Sequence, residues 1–291
     1  TGSVDKNLGA NIFIQKVQEQ NQDALEEQQA TRAELESLDE PELKERIRQA
    51  ILGQHAYRPK QAEALDALYS GDNVMAILVT GRGKSAIFQA YSAYLALWKR
   101  KTSIIVYPLR ALVNDQYQSL QKKLQPLGLE VCLATGALEG EERAAFFKRV
   151  MEGRVDLILT TPEFLVYNTH RFMELSGRLG MVVIDEAHHL ASRRQGYKQL
   201  PSTLKEIYPQ QILAVTATAS DDVAAHIMKS LDLTTVVIDP HVRDNLILVD
   251  QRSNYKKADY LIDLARTGEK VVVYLNSRHK AVQLAELLRE K

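Results

Sequence analysis

The sequence predicts an α/β protein built on a parallel β-sheet that is covered by helices on both faces. From residue 73 onward, short and nearly continuous runs of valine, isoleucine and leucine alternate with longer amphipathic stretches. Strands of this kind are buried on both faces, which is typical of parallel sheets with helical crossovers. The 291 residues suffice for one large domain or two small ones.

The predicted elements follow one another in a regular order along the chain. The strand-like runs are Val74–Val79, Ser103–Tyr107, Glu130–Ala134, Val155–Thr160, Met181–Asp185, Ile212–Thr216, Thr235–Ile238, Leu246–Val249 and Val271–Leu275. Helix-like stretches lie between most of them, for example Lys84–Leu97, Leu109–Leu124, Glu141–Met151 and Asp221–Leu231. This alternation predicts strand–helix–strand units that add to one sheet.

Residues 1–50 differ from the rest, because they carry 11 acidic and 6 basic side chains. Asp39, followed by Glu40 and Pro41, has the features of a helix start. We expect a solvated helical extension here, and the alternative is a partner-binding helix or the remnant of a preceding domain. A short polar segment, Pro240–Asn245, predicts a second boundary. The expected division is therefore 1–50, 51–243 and 244–291.

Composition excludes several classes of protein. Lysine plus arginine and aspartate plus glutamate both total 37, so any nucleic acid must bind a local basic patch. The single cysteine, Cys132, excludes an intramolecular disulfide and a cysteine-based zinc site. No apolar run reaches the roughly 18 residues of a membrane span. We expect a soluble protein of a reducing compartment with no membrane partner.

A glycine-containing segment follows the first strand-like run and opens a helix. It reads Thr80-Gly81-Arg82-Gly83-Lys84-Ser85. Glycines let backbone N–H groups approach phosphate oxygens, and a helix N-terminus adds positive potential. Lys84 can then reach the β- and γ-phosphates of a nucleotide, and the Ser85 hydroxyl can bind Mg²⁺. The complete phosphate-loop pattern has a glycine where this chain has Leu78, so the alternative is a simple turn before a helix.

An acidic pair, Asp185 and Glu186, ends another apolar run and is followed by Ala187 and His188. Ligands of open α/β sheets bind at the carboxyl ends of strands, so the two acids are expected near the phosphate loop. Asp185 can hold Mg²⁺, and Glu186 can orient and deprotonate an attacking water. Helix capping is the alternative, but both halves of a nucleotide–metal site rarely coincide by chance.

Thr216 ends a third strand-like run, and Thr218 lies two residues beyond it. Small hydroxyl side chains at this position are suited to linking the acidic pair to a neighbouring domain. Capping of the helix that follows Ser220 explains them equally well.

The ordered set of motifs resembles the core of superfamily 2 helicases of the RecQ-like type, with a DEAH box. The similar runs are Tyr57-Arg-Pro-Lys-Gln61, Thr80–Ser85, Tyr107-Pro-Leu-Arg-Ala-Leu-Val-Asn-Asp-Gln116, Thr160-Thr-Pro-Glu163, Asp185-Glu-Ala-His188, Thr216-Ala-Thr218 and Tyr274-Leu-Asn-Ser-Arg278. That family binds ATP between two RecA-like domains and single-stranded DNA across their tops. The resemblance implies a three-layer RecA-like first domain at 51–243 and the start of a second RecA-like domain at 244–291.

The resemblance also implies a role for each matching residue. Gln61 reads adenine through its carboxamide and Arg58 supports the adenine pocket, while His188, Thr216 and Thr218 couple nucleotide state to DNA contacts. The expected ATP contacts are Arg58, Gln61, Thr80, Gly81, Arg82, Gly83, Lys84 and Ser85. The expected catalytic residues are Lys84, Asp185, Glu186 and His188, with Ser85 and Asp185 as Mg²⁺ ligands. The expected nucleic-acid contacts are Arg110, Asn114, Thr161, Glu163, Arg193, Arg194, Tyr197, Asn276, Ser277 and Arg278.

Three departures from the family pattern are visible. Val79 stands where proline or alanine is usual, and Arg82 where a small residue is usual; Arg82 either faces solvent or adds charge at the phosphates. The loop after the acidic pair lacks the family's tryptophan-containing aromatic cluster, so Tyr197 is its only base-stacking candidate, while Arg193 and Arg194 add charge. The arginine finger and zinc domain of the family lie beyond the similar region. We therefore expect the 291 residues to bind ATP but to hydrolyse it negligibly.

Together these features predict an ATP-dependent DNA helicase, with 3′-to-5′ movement and a role in repair or recombination implied by the resemblance. The alternatives are another superfamily 2 motor, such as an RNA helicase or a duplex translocase, and a nucleotide-binding scaffold that has lost catalysis. The expected partner is single-stranded or partly duplex DNA, with a protein partner at residues 1–50 as a further option. The expected location is the bacterial cytoplasm at the nucleoid, or the nucleus of a eukaryote, with the bacterial setting favoured.

Overall fold

The computed structural model describes residues 23, 25–192, 195–240, 247, 249–250, 257–268 and 270–290. The chain divides into two compact units, Thr1–His241 and Val242–Lys291. The first unit contains the sheet, and the second contains two helices among its described residues.

The helices of the first unit alternate with its strands, as the apolar pattern predicts. Helix α1 covers residues 25–36. It is followed by α2 (Glu40–Leu52), α3 (Pro59–Tyr69), α4 (Lys84–Lys99), α5 (Arg110–Leu124), α6 (Gly140–Met151), α7 (Pro162–Tyr167), α8 (Thr169–Met173), α9 (Gln195–Ile207) and α10 (Asp221–Leu231). Short 3₁₀ turns cover Gln125–Leu127 and Ala187–Ala191.

Seven strands form one parallel sheet. They are β1 (Val74–Leu78), β2 (Thr102–Val106), β3 (Val131–Ala134), β4 (Leu157–Thr160), β5 (Leu179–Ile184), β6 (Gln211–Thr216) and β7 (Thr235–Asp239). Their order across the sheet is β3-β4-β2-β5-β6-β1-β7, and every pairing is parallel. The carboxyl ends of β1, β2, β4, β5 and β6 therefore share one edge, where the predicted site residues lie.

Alternate side chains of the sheet point to two separate hydrophobic layers. Met181 and Val183 of β5 belong to the layer that contains α2, α3, α4 and α5. Val182 and Ile184 belong to the layer that contains α6, α7, α8, α9 and α10. Since both faces are covered, the middle of each strand is apolar, and the predicted three-layer α/β fold is confirmed.

The described part of residues 1–50 packs on the sheet domain, so it is not a solvated extension. Leu43, Ile47 and Ile51 of α2 are buried in the same layer as α4. Leu35 of α1 is buried there as well. The acidic excess misled the prediction because it lies on the exposed faces, while the apolar residues of α2 recur every four positions and line the buried face.

The second unit contains α11 (Lys257–Arg266) and α12 (Arg278–Glu290), which contact each other. The predicted strand Val271–Leu275 has no strand conformation, because the described part of this unit offers no neighbouring strand to accept its hydrogen bonds. The predicted strand Leu246–Val249 lies partly outside the described residues. Among the helices that the structure describes, none is long and apolar enough to cross a membrane.

Candidate nucleotide-binding site

The segment between β1 and α4 folds as a tight loop with two glycines in left-handed backbone conformations. The φ angle is 84° at Gly81 and 73° at Gly83, a region that strongly favours glycine. A Cβ atom at Gly83 would overlap the side-chain amide of Gln61. The first N–H groups of α4 follow the loop directly and have no intrahelical partners. We call residues Thr80–Gly83 the phosphate loop.

Two residues that precede β1 hold this loop from one side. The Gln61 amide nitrogen donates to the carbonyl oxygens of Gly83 at 2.8 Å and Arg82 at 3.1 Å, and its oxygen accepts from the Arg58 N–H at 2.8 Å. The Arg58 guanidinium donates to the Gly81 carbonyl at 3.0 Å. Both amide hydrogens of Gln61 are therefore used within the protein. In this conformation Gln61 supports the phosphate loop, and bidentate pairing with adenine would require its amide to leave the loop.

The acidic pair lies beside the first residue of α4. Lys84 Nζ is 3.7 Å from Glu186 Oε1, so the structure brings together the two motifs that the sequence singled out. Glu186 has a φ angle of 48°, an uncommon conformation for a residue with a side chain. This backbone turn directs the chain from the end of β5 into the 3₁₀ segment that carries His188.

His188 connects Glu186 to the end of β6. Its Nδ1 lies 3.0 Å from Thr216 Oγ1 and 3.3 Å from Glu186 Oε2. Thr216 donates its own hydroxyl hydrogen to the Thr218 carbonyl at 3.0 Å, so it accepts the hydrogen from His188 Nδ1. Hydrogen bonds therefore join the predicted coupling residues His188, Thr216 and Thr218, and the His188 ring lies beside the Glu186 carboxylate.

Asp185 lies in an electrostatic environment that favours a cation. Burial raises the pKa of Asp185 to about 6, the charge of Glu186 acts in the same direction, and Lys84 opposes them. Tyr107, a residue that the sequence analysis did not single out as a site residue, is buried nearby. Burial raises the pKa of Tyr107 and the charge of Asp185 contributes, while the Tyr107 hydroxyl has no hydrogen-bond partner among the described residues. The negative charge of Asp185 is thus poorly compensated by the protein alone.

Tyr197 does not lie on the surface, which corrects its predicted role as a base-stacking residue. Its side chain is fully buried, and its hydroxyl donates to the Asp185 carbonyl at 3.0 Å. Its ring contacts His189, with 5.2 Å between ring centroids. The sequence placed Tyr197 in a polar loop, whereas the structure places it in α9, on the side facing the sheet. Arg193 and Arg194 lie outside the described residues.

Four predicted nucleic-acid contacts lie at the same edge of the sheet. Arg110, Asn114 and Glu163 are exposed at the starts of α5 and α7. Thr161 is buried and its hydroxyl accepts a hydrogen bond from the Phe164 N–H at 3.4 Å, so its side chain acts as a helix cap. Asn276, Ser277 and Arg278 are at the start of α12, in the second unit.

Two glycines that the sequence analysis did not single out lie against these contacts. A Cβ at Gly136 would overlap the Arg110 guanidinium, and a Cβ at Gly196 would lie 2.9 Å from Glu163 Oε1. No local signal marks either glycine, because the contacts join segments distant in sequence.

The residues present fit Mg²⁺ and a nucleoside triphosphate. A cavity of about 510 Å³ lies beside the phosphate loop and is lined by residues including Arg58, Gln61, Ser85 and Lys123, within the usual size range of ligand sites. Ser85 and Asp185 offer the oxygen ligands that Mg²⁺ prefers. The described residues contain no cluster of three or more histidine, cysteine, aspartate or glutamate side chains able to hold a metal. A metal here would therefore also need phosphate and water ligands.

Relatives of the chain are helicases. One relative is a protein of Acanthamoeba polyphaga mimivirus that is named as an ATP-dependent RNA helicase. It is 30% identical over 249 residues, which are 82% of this chain and 43% of the relative. The ATP-dependent DNA helicase RecQ of Haemophilus influenzae is 28% identical over 254 residues, 84% of this chain and 39% of RecQ. The chain thus spans about two fifths of the length of these relatives.

The fold is also found among solved helicases. The crystal structure of the DUF1998 helicase MrfA matches with a TM-score of 0.63 and 18% identity, over 87% of this chain and 41% of MrfA. The family model of DEAD/DEAH box helicases matches residues 58–226, which include the phosphate loop and the acidic pair. The motif resemblance to RecQ-like helicases is confirmed, and the chain belongs to the DEAD/DEAH box helicase family.

Proposed function

We propose that this chain is the nucleotide-binding core of an ATP-driven helicase that moves along single-stranded DNA and separates duplex strands. The observation that carries the proposal is the approach of Lys84 to Glu186, with 3.7 Å between Nζ and Oε1. This pair joins a phosphate loop to an acidic residue suited to activating water, at the sheet edge where ligands of parallel sheets bind.

The charges of the site account for nucleotide binding and hydrolysis in two stages. Lys84 and the N–H groups at the start of α4 bind the phosphates. A triphosphate competes with Glu186 for the Lys84 ammonium, so Glu186 loses its counter-ion and can orient and deprotonate a water. Mg²⁺ held by Ser85 and Asp185 would offset negative charge on the phosphates.

The close approach of His188 to Glu186, together with the hydrogen bond from His188 to Thr216, supports coupling between hydrolysis and movement. A change in the charge around Glu186 alters its contact with His188 and, through His188, the segment Thr216–Thr218. This segment follows β6 and precedes α10, so it is placed to transmit nucleotide state to other parts of a complete motor.

Nucleic acid is expected to bind along the exposed side chains at the carboxyl edge of the sheet. Arg110 provides a positive charge for phosphates, and Asn114 provides hydrogen-bond donors; such contacts bind a strand without reading its sequence. The names of the RecQ relatives favour DNA, and the motif resemblance implies 3′-to-5′ movement and a role in repair or recombination. A protein partner at residues 1–50, a domain boundary near residue 243 and a nucleoid or nuclear location belong to the same proposal. A boundary at residue 50 does not, because α2 crosses it and packs in the core of the first unit.

RNA is the second candidate substrate, because the mimivirus relative is named as an RNA helicase. The two substrates differ in the 2′-hydroxyl group, which a protein can recognise directly. The proposed contacts with backbone phosphates are available to DNA and RNA alike, so measured affinities are needed to distinguish the two substrates.

The test is a fluorescence titration of the 291-residue chain with single-stranded DNA and RNA of identical length and sequence, with and without a non-hydrolysable ATP analogue and Mg²⁺. We expect saturable nucleotide binding and tighter binding of DNA than of RNA. Tighter binding of RNA would establish the second candidate. Absence of nucleotide binding would contradict both the motor and the nucleotide-binding scaffold.

A further inference from the structure

The ion pair between Arg82 and Asp239 is a feature that the motifs do not account for. Arg82 lies in the phosphate loop between its two glycines, and its Nε is 2.7 Å from Asp239 Oδ2. The two residues are 157 positions apart. In this conformation the Arg82 guanidinium is paired with the Asp239 carboxylate and is not fully exposed to solvent.

Asp239 is held beside the strand that leads into the phosphate loop. It is the last residue of β7, and it pairs with Leu78, the last residue of β1. The Asp239 side chain is 7% exposed and that of Arg82 is 29% exposed. Because a buried carboxylate is costly unless it is paired, the contact with Arg82 is favoured over release of either group into water.

The backbone of Arg82 is anchored as well. Its N–H donates to the Val79 carbonyl at 3.1 Å, and its carbonyl accepts from Gln61 Nε2 at 3.1 Å. Arg82 thus carries three contacts at the tip of a loop whose flanking glycines have wide conformational freedom. Within the segment Gly81–Gly83, Arg82 has the only side chain.

We propose that Arg82 and Asp239 are positioning residues for nucleotide binding. Their ion pair holds the phosphate loop in its binding conformation before the nucleotide arrives, so less conformational freedom is lost on binding. This inference rests on the proposed function, namely that the loop binds nucleotide phosphates. It assigns the charge of Arg82 to loop anchoring and leaves Lys84 as the phosphate-binding cation.

The test measures binding of fluorescent ADP and ATP to the 291-residue chain carrying Asp239→Asn, Arg82→Ala or both substitutions. We expect each single variant to bind both nucleotides about threefold to tenfold more weakly. This is the usual effect when one additional side chain must be ordered on binding. The double variant should lose no more than either single variant, because both substitutions remove the same contact. Arg82→Lys, which keeps a cation for Asp239, should recover part of the loss.

Controls separate a positioning role from a general loss of stability. Arg82→Ala leaves a buried carboxylate behind and is expected to lower the melting temperature, whereas the double variant avoids this charge. Hydrogen exchange of the loop amides should accelerate in the double variant, while exchange in β2 and β5 stays at the wild-type rate. Arg149→Ala, which breaks a 2.6 Å pair with Glu130 away from the loop, should bind nucleotide normally.

Two outcomes would overturn the inference while the proposed function stands. Asp239→Asn could bind ATP more tightly than the wild type, which would show that Arg82, once released, acts as a phosphate cation. Alternatively, the double variant could bind as tightly as the wild type. Failure of the proposed function would look different. The wild-type chain would then either bind no nucleotide or bind it with an affinity that Lys84→Ala leaves unchanged.

Discussion

The hydroxyl of Tyr197 donates a hydrogen bond to the backbone carbonyl of Asp185, with 3.0 Å between the two oxygens. The contact connects α9 to the carboxyl end of β5. Since Asp185 is a proposed metal ligand, the position of its backbone depends on a buried residue 12 positions later in the chain. Gly196, the neighbour of Tyr197, lies against Glu163 at the start of α7. The start of α9 therefore touches both the acidic pair and a segment proposed to meet nucleic acid.

We predict that Tyr197→Phe lowers the free energy of unfolding by about 1 kcal/mol, the usual net effect of losing one buried hydrogen bond. Affinity for single-stranded DNA should stay near the wild-type value, because the ring cannot reach a base. Urea denaturation and fluorescence anisotropy measure the two effects. Tyr167→Phe is the matched control, because Tyr167 is 75% exposed, and it should leave stability unchanged. A large loss of DNA affinity in Tyr197→Phe with unchanged stability would show instead that the Tyr197 hydroxyl contacts the nucleic acid.

We predict that Arg193→Ala combined with Arg194→Ala weakens DNA binding and flattens its dependence on salt. Each lost phosphate contact should reduce the slope of log affinity against log salt by about 0.7 for a single strand. The measurement is a DNA titration at several salt concentrations. Lys205→Ala, near the opposite end of α9, removes an exposed charge away from the carboxyl edge of the sheet and serves as control. An unchanged slope in the double variant would show that these arginines do not contact phosphates.

We predict that Lys84→Ala and Glu186→Gln separate nucleotide binding from hydrolysis. Lys84 supplies a charge to the phosphates, so its loss should weaken ATP binding about tenfold or more. Glu186→Gln should bind ATP at least as well as the wild type, because it frees Lys84, but should abolish ATP turnover in any form of the protein that hydrolyses ATP. Calorimetric titration of both variants with Mg²⁺-ATP measures binding. Equal affinities of the wild type and Lys84→Ala would contradict the site.

The sheet and its site edge were predictable from the sequence because both depend on local patterns. Continuous apolar runs such as Val182–Ile184 identify parallel strands, and parallel strands bring their carboxyl ends to one edge. Lys84 and Glu186 are 102 positions apart, yet they were expected together because each follows the carboxyl end of a predicted parallel strand. For the seven strands of this sheet, only the ends differ from the prediction, by one or two residues.

Contacts between distant segments could not be predicted in this way. Nothing near Arg82 in the sequence indicates Asp239, because the pairing depends on β7 lying beside β1. Tyr197 was interpreted from its polar neighbours, but its orientation is set by the packing of α9 on the sheet. The strand predicted at Val271–Leu275 is absent for a related reason. An apolar run forms a strand only where another strand pairs with its backbone hydrogen-bonding groups, and the local sequence does not show whether such a strand is present.

We predict that Cys132 reacts slowly with thiol reagents in the folded protein. Burial raises the pKa of the Cys132 thiol to about 11, so the reactive thiolate is scarce at pH 8. Because the folded-state pKa lies above the ordinary value near 9, this thiol contributes stability at neutral pH that is lost as pH rises from about 9 to about 11. Alkylation rates with and without urea, and denaturation of the wild type and Cys132→Ala across this range, test both statements. Rapid alkylation of the folded chain would contradict them.

We predict that α1 is an integral part of the first unit, and that Arg32 fixes it there. Arg32 makes two hydrogen bonds to Asp156, at 2.8 and 3.1 Å, and the Asp156 side chain is 7% exposed. Arg32→Ala should therefore lower the free energy of unfolding by about 1–3 kcal/mol, since it leaves a buried carboxylate without its counter-ion. Arg46→Ala, which breaks an exposed 3.6 Å pair with Glu34, should change stability by less than about 0.5 kcal/mol. Equal stabilities of the Arg32→Ala and Arg46→Ala variants in urea would show instead that the helix is a solvated extension, as its acidic composition predicts.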